Sequence, residues 1–198
     1  MAKEGQAEPG RLDAIGGAAR AAGKSGPPPV HLWNPPYCGE IDMRIAADGT
    51  WYYLNTPIGR PALTKLFASV LKREGDRYFL VTPVEKCGIV VEDAPFLAVG
   101  MTVTQGAAGQ AVSFLTNVGD EVECGPGHGL RFEAEPAGGL RPYVHVRRDL
   151  WARVARPVYY DLVDIGEERM LDGILWFGVT SRGEFFPMAP ANSLKDLD

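Results

Sequence analysis

The stretch EIDMRIAADGTWYYL, Glu40 to Leu54, decides how the chain is read. From Glu40 the residues alternate, with Ile41, Met43 and Ile45 on one side and Glu40, Asp42 and Arg44 on the other. A repeat of two marks a half-buried β-strand, because successive side chains leave a strand in opposite directions. Asp48-Gly49 signals a tight hairpin turn, and Thr50 to Leu54 supplies the returning strand. A two-residue turn sets Ala47 opposite Thr50, Ile45 opposite Tyr52 and Met43 opposite Leu54. Cross-strand partners share a face, so the opposite face collects Asp42, Arg44, Trp51, Tyr53 and Asn55, a polar and aromatic surface suited to binding. A slip of one residue would dismantle that surface.

Beyond the hairpin, Pro61 suits the first turn of a helix whose apolar residues Leu63, Leu66, Phe67, Val70 and Leu71 recur at helical spacing. Arg60, Thr64 and Lys65 stand at its start, where unsatisfied backbone N–H groups favour an anion. RYFLVT and CGIVVED form a second hairpin, apolar on both faces and covered on both sides, with Thr82, Pro83, Val84, Glu85 and Lys86 at its polar tip. From Asp93-Ala94-Pro95 onward the chain turns β-rich. Strands are expected near Leu97–Thr104, Ala111–Asn117, Glu121–Cys124, Leu130–Glu135 and Pro142–Val146, separated by glycine-rich turns. A helical pattern starts at Asp149 with Leu150, Val154, Val158, Leu162 and Ile165 on one face, and Pro157 inside it predicts a kink near Arg156. ILWFGVT and EFFPM make a last hairpin.

The fold class is therefore α+β, with two β-rich halves, each holding antiparallel hairpins and one principal helix. YFLVTPVEKCG and SFLTNVGDEVECG both set Phe-Leu before a Thr and an acid before Cys-Gly, an echo that hints at duplication. The domain reading is a disordered tail over 1–30, an N-terminal α+β half over 31–95 and a β-rich C-terminal half with one helix over 96–198. Small residues and a polyproline brake dominate that tail, which would support at most a transient helix over Leu12 to Ala22.

The 198 residues carry a net charge of −5 and no basic run of five or more, which argues against a nucleic-acid partner. The first thirty residues lack a signal-peptide core, and no stretch approaches the ~20 apolar residues of a membrane span. The expected compartment is the cytoplasm, without a membrane partner. Cys38, Cys87 and Cys124 are each followed by glycine, and no Cys-x-x-Cys pair exists. Cys124 and His128 in CGPGH could start a metal site, but the paired spacing of zinc sites is missing, so no metal and no cofactor are assigned.

The stretches WNPPYCGEIDMRIAADGTWYYLNTPIGRPALTKLF and YFLVTPVEKCGIVVEDAPF, with TNVGDEVECGP, RPYVHVR and YYDLVDIGEE downstream, resemble the bacterial domain of unknown function 1285 family from about Trp33 to Met188. Pro157 in the second helix and a cysteine at position 87 depart from the family pattern. The resemblance implies a duplicated α+β architecture with a C-terminal half loosely like the pleckstrin-homology barrel and helix. It also implies a ligand site between the halves, for a nucleotide-like molecule, and a signalling role. It brings no established activity.

A cysteine hydrolase would need Cys38 as thiolate and a base such as His145, yet Cys38 precedes a strand rather than a helix N-terminus that would lower its pKa. Glu40 and Asp42 beside Arg44 read as a salt-bridged strand face rather than an acid–base pair. No catalytic residue is assigned. GPGHG lacks the Lys-Ser/Thr of a phosphate loop. A bound anion would rely on Trp51 or Tyr53 as a stacking plane and on Arg44 and Arg60 for phosphate. Thr82, Glu85 and Asn117 would supply hydrogen bonds, with Asp42 and Lys86 flanking. The leading expectation is a ligand-sensing or regulatory module for a small anionic or nucleotide-like molecule. The alternatives are a protein–protein adaptor and, third, the cysteine hydrolase.

Overall fold

The computed structural model describes residues 10–23, 27–107, 109–135 and 138–194. The chain divides into two compact units, Met1–Pro95 and Phe96–Asp198. In the first unit a six-stranded sheet is built from β1 (Tyr37–Ile45), β2 (Trp51–Tyr53), β3 (Thr56–Pro57), β4 (Leu71–Glu74), β5 (Arg77–Val81) and β6 (Lys86–Val91), in the order β3-β2-β1-β6-β5-β4. Its helices are α1 (Arg11–Ala22) and α2 (Pro61–Ser69). The helix α1 lies within the stretch assigned to a tail. Ile15 and Ala19 are buried, and Gly16 brings the backbone close to Leu63, Leu66 and Phe67 of α2. Burial of that small-residue stripe holds a helix that its glycines alone would not sustain. Arg11 anchors its start, its Nη2 donating to the Cys38 carbonyl at 2.9 Å.

The β1–β2 hairpin differs from the two-residue reading. Gly49 N donates to Ala46 O and Ala46 N to Thr50 O, with Gly49 at φ +82°, so the loop holds three residues, Ala47, Asp48 and Gly49. This is the turn-plus-bulge closure that follows two-residue turns in frequency. The extra residue shifts the register by one: Ile45 pairs with Trp51, Arg44 with Tyr52 and Met43 with Tyr53. Trp51 thereby joins the buried face with Met43 and Ile45, and the expected surface of Asp42, Arg44, Trp51, Tyr53 and Asn55 does not form. The helix α2 also stops sooner than the spacing suggests, because Leu71 opens β4, a strand missing from the sequence reading. The second hairpin is buried at Phe79, Leu80 and Val81, where Val30 and Trp33 cover one face, but Val90 is exposed.

In the second unit the strands β7 (Phe96–Gly106), β8 (Gly109–Thr116), β9 (Glu121–Glu123), β10 (Leu130–Ala134), β11 (Leu140–Arg147) and β12 (Leu150–Val154) form a sheet in the order β10-β11-β12-β7-β8-β9. Read from the opposite edge, this repeats the first sheet. Each comprises two three-stranded meanders, joined where the first and last strands run parallel, β1 with β6 and β7 with β12. The sequence echo falls on β5–β6 and on β8–β9, which are not equivalent positions in this scheme, so it does not track the structural repeat.

The helix α3 (Arg156–Asp164) is followed by a three-stranded sheet of β13 (Glu167–Leu171), β14 (Ile174–Ser181) and β15 (Glu184–Pro190), and by a short α4 (Ala191–Leu194). The helix expected from Asp149 is thus a strand and then a helix. Leu150, Ala152 and Val154 are buried in alternation, and Pro157 starts α3 instead of kinking it. Leu150 and Val154, four apart, satisfy a strand and a helix equally, which is why the pattern misled. The buried Ser181 hydroxyl receives Val112 N at 2.9 Å and donates to Cys124 O at 2.6 Å, tying the small sheet to β8 and to the residue that follows β9. The likeness to a pleckstrin-homology domain is loose, since this further sheet follows the helix. No helix among the described residues is long and apolar enough to cross a membrane.

Candidate functional site: an arginine-lined groove beside the third helix

Most residues singled out from sequence hold the fold. Arg44 pairs with Glu92 at 2.5 Å and lies over the Tyr52 ring at 4.2 Å. Glu92 also receives Ala47 N, and these bonds lower its pKa, the backbone donor more than the guanidinium. Trp51 is 2% exposed, while Asp42 and Tyr53 lie on opposite faces of the β1–β2 ribbon. Arg60 is exposed at the cap position of α2 without a side-chain cap bond. Thr82 is fully buried, and its hydroxyl receives Glu85 N at 3.2 Å and Val84 N at 3.4 Å, closing the hairpin tip from within. Glu85 accepts from the Cys87 thiol at 3.6 Å, and Lys86 pairs with Glu74 at 2.8 Å above the Phe79 ring. Asn117 lies in the other unit, where its Oδ1 accepts from Leu97 N at 3.0 Å.

A different set of residues converges in the C-terminal unit. The turn after β10, the strands β11 and β12 and the start of α3 enclose a groove of about 330 Å³. Arg141, Arg153, Arg156, Tyr159, Tyr160 and Glu135 are among its walls. Arg153 is opposite Tyr143 in the β11–β12 ladder, and Arg141 is two residues from Tyr143, so both arginines leave the same face of the sheet. Arg156 opens α3 and donates from Nε to the Tyr160 hydroxyl at 2.9 Å, which raises its pKa. Tyr160 is half exposed and stacked on Tyr159, offering an open ring at the rim. Glu135 accepts from Arg141 Nε at 2.9 Å. That bond lowers its pKa first, and the charges of Arg141, Arg153 and Arg156 lower it further. Three guanidiniums against one carboxylate give the groove a positive field within a chain of net charge −5. The sequence reading missed it because Leu150 and Val154 were read as part of a helix face, which takes Arg153 off the sheet face that it shares with Arg141. The alternation in LWARV was the available signal.

Two family models match in tandem. Residues 28–94 match the N-terminal domain of unknown function (DUF1285), and residues 95–188 match the C-terminal domain of the protein of unknown function (DUF1285). The chain belongs to the DUF1285 family. It is similar to the crystal structure of a DUF1285 family protein from Silicibacter pomeroyi DSS-3, with 52% identity over 91% of this chain and 97% of that one and a TM-score of 0.82. A DUF1285 family protein from Shewanella baltica OS155 shares 31% identity over 63% of this chain and 91% of that one, with a TM-score of 0.51. No curated protein matches.

The cysteines of this DUF1285 chain are all free thiols. Burial pushes Cys87 up to about 11 and Cys124 up to about 12, so neither is a thiolate near neutrality. Cys38 is exposed, its thiol turned to Pro36 O at 3.5 Å. His145 directs Nδ1 to Gly127 O at 2.8 Å and Nε2 to Arg148 O, so both ring nitrogens face backbone carbonyls rather than a thiol. Among the described residues no three His, Cys, Asp or Glu side chains gather as metal ligands.

Proposed function

We propose that this DUF1285 chain is a cytoplasmic regulatory protein that senses a small phosphate-bearing molecule, bound in the groove of its C-terminal unit. One observation carries the reading: three arginines and one carboxylate line a groove of about 330 Å³, within the range of small-ligand sites. Guanidiniums hold phosphate in pairs of parallel hydrogen bonds, and arginines from two strands and a helix can converge on one tetrahedral anion. The exposed Tyr160 ring supplies a stacking plane for an attached base, which accommodates a nucleotide-like ligand. Three unpaired cysteines accord with a reducing compartment.

Thermal shift and calorimetric titration with pyrophosphate, mononucleotides and cyclic nucleotides test this. A ligand at ~100 times its Kd stabilises by about 2.7 kcal/mol, a Tm rise of roughly 5 to 10 °C for this size. The shift should vanish in a folded Arg141→Ala/Arg153→Ala double variant and persist in Arg44→Ala, whose partner is Glu92. A flat response across the panel overturns the reading.

A second reading, a protein adaptor, rests on the β13–β14 hairpin, where Met170, Ile174 and Leu175 are exposed and β13 is a sheet edge. Such an edge accepts an extended strand of another protein. A Met170→Lys substitution that abolishes a recovered interaction, while the arginine variants leave it intact, would select this reading.

A further inference from the structure

We propose that Glu135 is a tethered competitor in the anion groove, so that the site admits phosphate groups and rejects carboxylates. The inference rests on the anion-site reading above.

The Glu135 side chain is an anion already bound by one arginine and in the field of two more. Its Oε1 accepts from Arg141 Nε at 2.9 Å. Charged groups face it from each neighbouring element: Arg141 on β11, Arg153 on β12 and Arg156 on α3. Tyr159 and Tyr160 line the same groove, and the Tyr160 hydroxyl accepts from Arg156 Nε. The Glu135 backbone is held independently, with its N–H donating to Gly139 O and its carbonyl accepting from Gly138 N, both at 3.0 Å. Gly138 and Gly139 take φ of +88° and +99°, values that glycine adopts without strain. The Glu135 backbone therefore stands on main-chain bonds, while its side chain is about one-third exposed and able to swing out.

A tethered group acts at an effective concentration on the order of millimolar or more. A free monocarboxylate offers the arginines nothing that Glu135 does not, and it must give up its translational freedom to do so. A phosphate monoester or diphosphate brings two or more charges and three oxygens per terminal group. It can engage Arg141 together with Arg153 or Arg156, which the single Glu135 carboxylate does not match. The carboxylate thus filters ligands by charge, and it is ionised across neutral pH because its neighbours lower its pKa.

The test uses the full chain, inorganic pyrophosphate as probe, and the variants Glu135→Gln and Glu135→Ala, each checked for folding by its melting curve. Both variants should bind pyrophosphate roughly three- to fivefold tighter than the parent, the size expected when one exposed ion pair ceases to compete. Binding detectable only in the variants is the same result in stronger form. Unchanged or weaker binding in both variants, with parental binding abolished by Arg153→Ala, overturns the tethered competitor and leaves the anion site standing. Absence of pyrophosphate binding in the parent and in both variants overturns the two together.

Discussion

Gly178→Ala gives the sharpest test of the C-terminal packing. Gly178 is buried in β14 opposite Pro187, at the point where the β14–β15 register slips. A Cβ there would stand 2.9 Å from the Pro187 Cα and 2.8 Å from the Phe185 ring, with the Phe186 carbonyl oxygen closer still. Ordinary contact begins at 3.4 Å, so β15 must retreat by at least about 0.5 Å against its own backbone. Overpacking of this kind costs about 1 to 3 kcal/mol, and a disturbed ladder hydrogen bond adds about 1 kcal/mol. For a chain of this length the total corresponds to a Tm fall of roughly 5 to 12 °C by differential scanning calorimetry. Gly88→Ala is the matched control. Its Cβ would meet the carboxylate of Glu40, which is held by the Tyr37 hydroxyl at 2.6 Å and by Arg77. That side chain is exposed and can rotate away, so the loss should stay under about 2 °C, as for other exposed pairs. The reasoning fails if Gly178→Ala melts within 2 °C of the parent, or if Gly88→Ala proves the worse of the two.

Three further outcomes are expected. Leu162→Ala, at a fully buried position on α3, should cost about 2 to 5 kcal/mol by urea denaturation with little change in slope; a cost below about 1 kcal/mol would mean that α3 is not packed as described. A thiol-reactive chromophore at pH 8 should label one cysteine, Cys38, in the native protein, and the buried Cys87 and Cys124 only after unfolding; two fast-reacting thiols would contradict their placement. Glu74 has its pKa lowered by hydrogen bonds from Lys86 and then Lys72. A carboxylate depressed in the folded state contributes stability above its ordinary value of 4.5 and loses it as pH falls through the folded value. Tm should therefore drop between pH 5 and pH 3 less steeply in Glu74→Gln than in the parent, and identical acid limbs would remove Glu74 from the account.

Local patterns made much of the fold legible. Alternation in EIDMRI, the apolar run in RYFLV and the glycine-rich turns around SFLT located strands, and the Leu63, Phe67 spacing located α2. What failed was decided by single residues of register or by tertiary burial. One extra loop residue before Thr50 moved Trp51 and Tyr53 to the opposite face. The four-residue spacing of Leu150 and Val154 disguised β12, and the glycine-rich α1 needed the surface of α2 to be helical. The groove was hidden for the same reason. Arg141, Arg153 and Arg156 converge only once β12 is a strand and Pro157 begins the helix after it. Thr82 and Arg44 were chosen as polar residues in a polar neighbourhood, yet their donors and acceptors are spent on a turn and on Glu92.

The parallel join at the middle of each sheet also sets an order of assembly. Each meander is built from neighbours in sequence and can pair as soon as it exists, whereas the partners of β1 and β6 lie 46 to 49 residues apart and those of β7 and β12 lie 56 apart. The sheets therefore close from their edges inward, and the central seam forms last. For a chain emerging from the ribosome, the first sheet stays open until Val91 is free, and the groove lacks its helical wall until α3 has followed β12 out. Resistance of ribosome-bound chains to protease should rise in two steps at those lengths, each late relative to the strands already made.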